Sequence, residues 1–426
     1  MSIEIKSKKL KGTVNIPPSK SLSHRAIIAA SLSEGESIIE NIILSDDIKA
    51  TINAMKSFGV EIEEIKGERY KLIINGKNKL KLNNNIVDCS ESGSTLRFLI
   101  PFFTLLNDEV VFIGKNKLIE RPLDPYYKIF DKQKINYENN LGNLPLKISG
   151  ELKAGKYEID GDISSQFITG LMYVLPLLND DSEIIINKKL ESKSYVDLTI
   201  DVLKKFNIEI ENENNEYRKF KIKGNQKYTK RNYKVEGDYS QAAFWITASL
   251  IGNDVLIKGL DENSIQGDIA ILKIIEDMGA KYEFKNDILI IKNENILKNI
   301  EIDVNDCPDL VPILVVLASF SKGKCKIINA KRLRLKESDR LKAISSEINK
   351  LGGNIIEFDD GLEVYPINKG IKSEVKSFND HRIAMALSIF STRVNGNIIL
   401  NGETAINKSY PDFYKDFIKL GGEINV

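Results

Sequence analysis

Six times along 426 residues, a short polar stretch is followed by a helix-length run that is apolar on every side. The runs begin near Ser19, Gly93, Ser165, Ser240, Pro308 and Asp380, at steps of 74, 72, 75, 68 and 72 residues. A repeat of this period implies one supersecondary unit stacked on its neighbours, none of which buries its apolar face alone. A helix that is apolar all round must be enclosed by other elements. Each run is followed by a strand pattern, an amphipathic segment and two more strand patterns, so the fold class is α/β.

The second repeat shows the pattern. Residues 94–106 read as the buried helix, 109–113 as a strand and 122–132 as the amphipathic helix; strands follow at 134–138, 145–149 and 156–159. The amphipathic helices of the other repeats fall near 47–58, 195–206, 266–278, 339–351 and 411–420. Gly59, Asn207, Gly279, Gly352 and Gly421 stand where helix C-terminal caps belong. The sixth repeat lacks its closing strands, and residues 3–5 and 13–16 alternate as strands would. The simplest closure assigns both N-terminal strands to the sixth repeat. That makes residues 18–232 one domain of three repeats, with 1–17 and 233–426 as the second. The chain then crosses between domains twice, near Pro17-Pro18 and near residues 231–235.

Composition excludes several classes. With 61 basic and 60 acidic residues the net charge is +1, which argues against a general binder of nucleic acid or other polyanions. The longest apolar runs are about half a membrane span, so no membrane segment is expected. The N-terminus has no apolar core of the signal-peptide kind. Cys89, Cys307 and Cys325 are scattered without metal-ligand spacing, as suits a reducing cytoplasm.

The polar starts of the helices carry the chemistry. A helix N-terminus presents unpaired N–H groups and the positive end of the dipole, which attract anions and disfavour cations. Yet Lys20, Arg25, Arg97 and Arg382 stand at starts of apolar helices, and Arg121, Arg340 and Lys408 at or before amphipathic ones. Solvated charges or salt bridges are the ordinary alternative for any single case. Recurrence at equivalent places in several repeats points instead to at least one phosphate or carboxylate site between the domains. Ser92-Gly93-Ser94-Thr95 offers a glycine for close backbone approach and hydroxyls for a phosphate, or else a plain helix cap. Ser164-Ser165-Gln166 repeats the theme without charge.

Acid and base candidates are few. His24 and His381 each precede an arginine, which suits a neutral hydrogen-bonding role better than general base. Asp309, at the start of an apolar helix, reads as an unpaired carboxylate able to take a proton from a hydroxyl, or as an N-cap. In Lys336-Glu337-Ser338-Asp339-Arg340, Asp339 reads as a cap or internal partner, leaving Glu337 to face the cleft. No metal cluster, nucleophile elbow or dinucleotide fingerprint appears, so neither metal nor organic cofactor is expected.

Residues 17–26, 92–97, Glu120-Arg121-Pro122, Ser164-Ser165-Gln166, 334–341, Asn379-Asp380-His381-Arg382 and Lys408-Ser409-Tyr410-Pro411-Asp412 resemble, in order and along the whole chain, the motifs of the 5-enolpyruvylshikimate-3-phosphate synthase family. The resemblance implies a two-domain, inside-out α/β barrel of six βαβαββ repeats, three per domain, with the active site in the interdomain cleft. It implies transfer of the enolpyruvyl group of phosphoenolpyruvate to the 5-hydroxyl of shikimate 3-phosphate, with release of phosphate, by a cytoplasmic monomer. Lys20, Gly93, Arg121, Gln166, Arg340, Arg382 and Lys408 would hold phosphoenolpyruvate. Lys20, Ser21, Arg25, Ser164, Ser165, Gln166, Ser192, Tyr195, Asp309 and Lys336 would hold shikimate 3-phosphate. Asp309 would take the hydroxyl proton, with Glu337 and Lys20 managing protons at the enolpyruvyl group. Two departures stand out: Glu91 where many members carry Asn, and Arg332 where some use Asn.

Two rivals differ in what they require. A transferase moving enolpyruvyl to a UDP-amino sugar commonly has a loop cysteine, and none occurs between Cys89 and Cys307. A non-catalytic polyanion binder requires surplus basic charge and an exposed aromatic stripe, whereas Trp245 sits inside an apolar run.

Overall fold

Each apolar run folds as a helix, and in five of the six a polar residue fixes the start. Ser19, Ser92 and Ser164 accept hydrogen bonds from Leu22 N, Thr95 N and Gln166 N, and Asp238 and Asp380 do the same for Ser240 N and Arg382 N. Such caps satisfy N–H groups that the helix leaves open. The computed structural model describes residues 2–77, 79–106, 108–292 and 297–425; Met1 and Val426, outer bounds of the expected second domain, lie outside the described residues.

Twelve α-helices occur among the described residues. The first six are α1 (Lys20–Ser31), α2 (Asp46–Ser57), α3 (Gly93–Leu99), α4 (Asp124–Gln133), α5 (Ser165–Val174) and α6 (Lys193–Lys205). The others are α7 (Tyr239–Leu250), α8 (Ala270–Asp277), α9 (Val311–Ala318), α10 (Arg340–Lys350), α11 (His381–Phe390) and α12 (Phe413–Lys419). Odd-numbered helices are the apolar runs and are buried almost throughout; every residue of α9 is buried. Even-numbered helices bury one face. Their ends match the expected caps: Gly59, Asn207, Gly279, Gly352 and Gly421 all have positive φ.

Proline sets the main departures from the expected boundaries. The run 94–106 is α-helical only to Leu99 and continues as a 3₁₀ segment, Ile100–Leu105, because Pro101 has no N–H to donate. Likewise Pro308–Leu310 is a 3₁₀ turn ahead of α9. The segment 266–278 divides into a 3₁₀ turn, Gly267–Ile269, and α8.

Among the described residues there are six four-stranded sheets, one per repeat, and a separate two-stranded pair, Gly370–Ile371 with Val394–Asn395. The N-terminal strand Ser2–Lys6 lies antiparallel between Asn397–Asn401 and Glu423–Asn425, within the sixth repeat. The second N-terminal strand corrects the expected closure: Lys11–Asn15 runs parallel to Asp254–Lys258 and edges the fourth repeat's sheet. Its counterpart, Asn232–Lys234, runs parallel to Gly35–Ile42 and edges the first. The chain divides into two compact units, Pro18–Val235, and Met1–Pro17 with Glu236–Val426. Residues 233–235 therefore go with the first unit, since their strand is hydrogen-bonded there. Each unit has its own apolar core around its three odd-numbered helices. No helix among the described residues is long and apolar enough to cross a membrane.

Close helix approach in the first unit depends on one glycine. A Cβ on Gly170 of α5 would lie 2.5 Å from the Arg97 carbonyl oxygen of α3 and 2.2 Å from the Tyr126 hydroxyl of α4.

Candidate active site

The candidate residues sort by unit. Lys20, Ser21, Arg25, Gly93, Arg121, Ser164, Ser165, Gln166, Ser192 and Tyr195 belong to the first; Asp309, Lys336, Glu337, Arg340, Arg382 and Lys408 belong to the second.

In the first unit, α1 starts with Lys20, whose Nζ lies 2.6 Å from Asp47 Oδ2 in the first turn of α2. Ser21 lends its carbonyl to Arg25 one turn on. The Arg25 guanidinium is 2 % exposed and donates to Ser21 O, Tyr195 O and Thr199 Oγ1, each at 2.9 Å, with Phe98 beneath it. Tyr195 thus enters first through its backbone. Ser192 precedes α6 in left-handed conformation, φ 56°, and caps no helix N–H with its side chain.

Gly93 opens α3, and a Cβ there would lie 2.5 Å from Arg121 Nη1. Glycine lets that guanidinium lie against the helix start. Arg121 is 7 % exposed, and its side chain has no ion-pair or hydrogen-bond partner among the described residues. A buried cation in this state is costly unless an anion arrives. Gln166 is oriented from two sides: Arg97 Nη1 donates to its Oε1 at 3.0 Å, and its Nε2 donates to Ser94 Oγ at 3.0 Å. Arg97 also donates to Pro122 O and covers Phe167. This corrects the reading of Arg97 as an anion-site cation: it positions Gln166. Glu91 accepts from Asn116 Nδ2.

The second unit is organised around Asp309 and Arg340. Asp309 is the middle residue of the 3₁₀ turn Pro308–Leu310 and caps no helix. It is not the unpaired carboxylate expected: Oδ1 lies 2.9 Å from Arg340 Nη1 and 3.5 Å from Lys336 Nζ, and Oδ2 lies 2.8 Å from Arg382 Nη2. The turn puts this carboxylate among three cations from two other segments, Lys336 and Arg340 at or just before the start of α10 and Arg382 in α11. Arg340, 1 % exposed, also pairs with Glu337 at 2.7 Å and Asp380 at 2.8 Å. Burial alone would lower its pKa, but the carboxylates of Asp380, Glu337 and Asp309 outweigh it and raise the pKa. Lys336 goes the other way: burial, against the pull of Asp309 and with the push of Arg340, lowers its ammonium to about 8.

Asp339 caps α10 through Lys342 N and pairs with Arg334 at 2.9 Å, as its place in the motif suggests. Arg382 also donates to Asp309 O and Ser240 Oγ, and Lys408 Nζ donates to Asn379 O at 2.6 Å. Arg332 donates to Asn305 O. His24 is wholly buried, with its pKa driven well below the usual imidazole value by burial and then by the cations Lys20 and Arg25. It is neutral and hydrogen-bonds to Thr51. A groove of about 600 Å³ beside Lys128, Lys132 and Tyr157 contains none of these residues.

Sequence reasoning did not find Asp47, Asp380 as an Arg340 partner, or the positioning role of Arg97. Asp47 and Asp380 both stand in capping segments, which is the signal that was available.

The model of the EPSP synthase (3-phosphoshikimate 1-carboxyvinyltransferase) family matches residues 5–417. A 3-phosphoshikimate 1-carboxyvinyltransferase of Clostridium novyi is 54% identical over 433 residues, covering 100% of this chain and 98% of the relative. One of Clostridium kluyveri is 49% identical, covering 99% and 98%. Among solved structures, an EPSP synthase of Acinetobacter baumannii superposes with a TM-score of 0.82 at 24% identity, covering both chains fully. The enolpyruvyl transferase NikO of Streptomyces tendae gives 0.78 at 15% identity, covering 100% and 98%. At these identities the two solved structures speak for the fold. The match over nearly all of the sequence, at about half identity to relatives of equal length, means that the chain belongs to the EPSP synthase family.

Proposed function

We propose that this chain transfers the enolpyruvyl group of phosphoenolpyruvate to the 5-hydroxyl of shikimate 3-phosphate, forming 5-enolpyruvylshikimate 3-phosphate and phosphate. The observation that carries the assignment of roles is Arg121, a buried guanidinium beside a helix start with no partner among the described residues. With Lys20, Gly93 and Gln166 it holds phosphoenolpyruvate from the first unit; Arg340, Arg382 and Lys408 hold it from the second. Ser21, Arg25, Ser164, Ser165, Ser192 and Tyr195, with Lys20 and Gln166 shared, hold shikimate 3-phosphate, and Asp309 and Lys336 complete its site. Groups from both units then act on one substrate pair.

Two polyanions repel each other, and fixed cations remove that cost where water is excluded. Protonation of the methylene carbon by Glu337 or Lys20 makes the adjacent carbon electrophilic. The 5-hydroxyl adds to it while Asp309 takes the hydroxyl proton. Phosphate then leaves from the tetrahedral adduct, the methylene carbon gives back a proton, and the double bond is restored. One chain supplies every group named, which supports a monomer. Three buried thiols, none in a disulfide, fit a cytoplasmic setting.

The test is phosphate release from phosphoenolpyruvate with each of two acceptors. Release that requires shikimate 3-phosphate is expected; release driven by UDP-N-acetylglucosamine alone would overturn the reading.

A further inference from the structure

In the first unit, every neighbouring pair of inner helices is bridged by a hydroxyl from an outer one. Thr51 of α2 lies between α1 and α3: its Oγ1 is 2.7 Å from His24 Nδ1 and 2.7 Å from Thr95 Oγ1. Tyr126 of α4 lies between α3 and α5, donating to Arg97 O and to Phe167 O, the latter at 3.2 Å. Thr199 of α6 lies between α5 and α1, with Oγ1 2.8 Å from Thr169 Oγ1 and 2.9 Å from Arg25 Nε. Thr51, Tyr126, Thr199, Thr95 and Thr169 are each 0% exposed. Thr51, Tyr126 and Thr199 are 75 and 73 residues apart, within one residue of the repeat's steps of 74 and 72.

Proton counting gives two of these bridges a single direction. Thr95 Oγ1 donates to Ser92 Oγ, the cap of α3, at 2.8 Å. Its one proton is thereby used, so Thr51 donates to Thr95 and must accept from His24 Nδ1–H. Neutral His24 suits this, because Nε2 is then a bare lone pair against apolar packing rather than an unmade N–H. On the other side Thr199 donates to Tyr195 O at 2.9 Å, so it accepts from both Arg25 and Thr169.

We propose that Thr51, Tyr126 and Thr199 are positioning residues, one per helix pair, that set the spacing of the three helix starts and so tune the two substrates separately. This rests on the functional reading above. The Thr51 bridge joins the helix carrying Lys20, which serves both substrates, to the one carrying Gly93, which serves phosphoenolpyruvate alone. The Thr199 bridge joins the helix carrying Arg25 to the one carrying Ser165, the shikimate 3-phosphate side. Tyr126 fixes the pair that carries Gly93 and Gln166, and Gln166 serves both.

The experiment compares Thr51→Val, Thr199→Val and Tyr126→Phe by steady-state kinetics for each substrate, with calorimetric binding of shikimate 3-phosphate to each variant. Thr51→Val is expected to raise KM for phosphoenolpyruvate about fivefold, the effect of one hydrogen bond, with binding of shikimate 3-phosphate within about twofold of wild type. Thr199→Val should do the reverse, Tyr126→Phe should weaken both, and Thr51→Ser and Thr199→Ser should restore wild-type values. Should a valine variant not fold, Thr95→Val and Thr169→Val remove the same bridges from the inner helices and carry the same expectations. Equal losses for both substrates in every variant, or folded variants with no change, would overturn the proposal. Wild-type protein inactive with shikimate 3-phosphate would instead overturn the functional reading.

Discussion

Lys336 and Asp309 sit 3.5 Å apart, and the proposed function puts opposite demands on them: one would be charged to hold an anion, the other would accept a proton. Burial lowers the Lys336 ammonium to about 8, so the charge is present below that pH and is lost as pH rises through it. We expect kcat/KM for shikimate 3-phosphate to fall about tenfold per pH unit above this break, which reports the free enzyme. In Lys336→Arg the guanidinium stays charged, and the break should vanish from the pH profile. Asp309→Asn should lower kcat by ~10²–10⁴-fold, the range for a lost general base, while shikimate 3-phosphate still binds by calorimetry. The motif residues were legible in sequence because they crowd the helix starts. Their partnerships were not: Asp309 and Arg382 are 73 positions apart, and no local pattern tells that a third and fourth charge will meet them. Arg97 illustrates the limit, since a cation at a helix start looks the same whether it awaits an anion or orients Gln166.

The helices were legible element by element because apolar runs enclosed on all sides have few other readings. Their ends were set by chemistry that the sequence also displays, such as the left-handed Gly59 and Gly352 and the 3₁₀ segment at Pro101. Pairing of short strands was harder. Residues 13–16 alternate as a strand would, but alternation names no partner, and the strand formed there, Lys11–Asn15, joins Asp254–Lys258 of the fourth repeat instead of the sixth. Helix contact in the first unit makes its own prediction. Gly170→Ala places a methyl group 2.5 Å from the Arg97 carbonyl oxygen and against the Tyr126 hydroxyl, so backbone must move. Overpacking of this kind costs about 1–3 kcal/mol, to be read from the urea midpoint at unchanged slope.

The two units divide the chemistry unequally. The first supplies Lys20, Arg25 and Arg121, of which Lys20 is paired with Asp47, whereas the second holds Arg340 and Arg382 against Asp309, Glu337 and Asp380. On this account the first unit is a ready anion receptor, and the second carries Asp309 and Glu337 in an ion-pair network that an arriving substrate must enter. Neither set suffices alone. The direct check is kcat/KM for phosphoenolpyruvate in Arg121→Gln and Lys408→Gln, one from each unit. Loss of a desolvated charged contact predicts a fall of ~10²-fold in each. A folded variant of either kind that keeps wild-type kcat/KM would contradict the account.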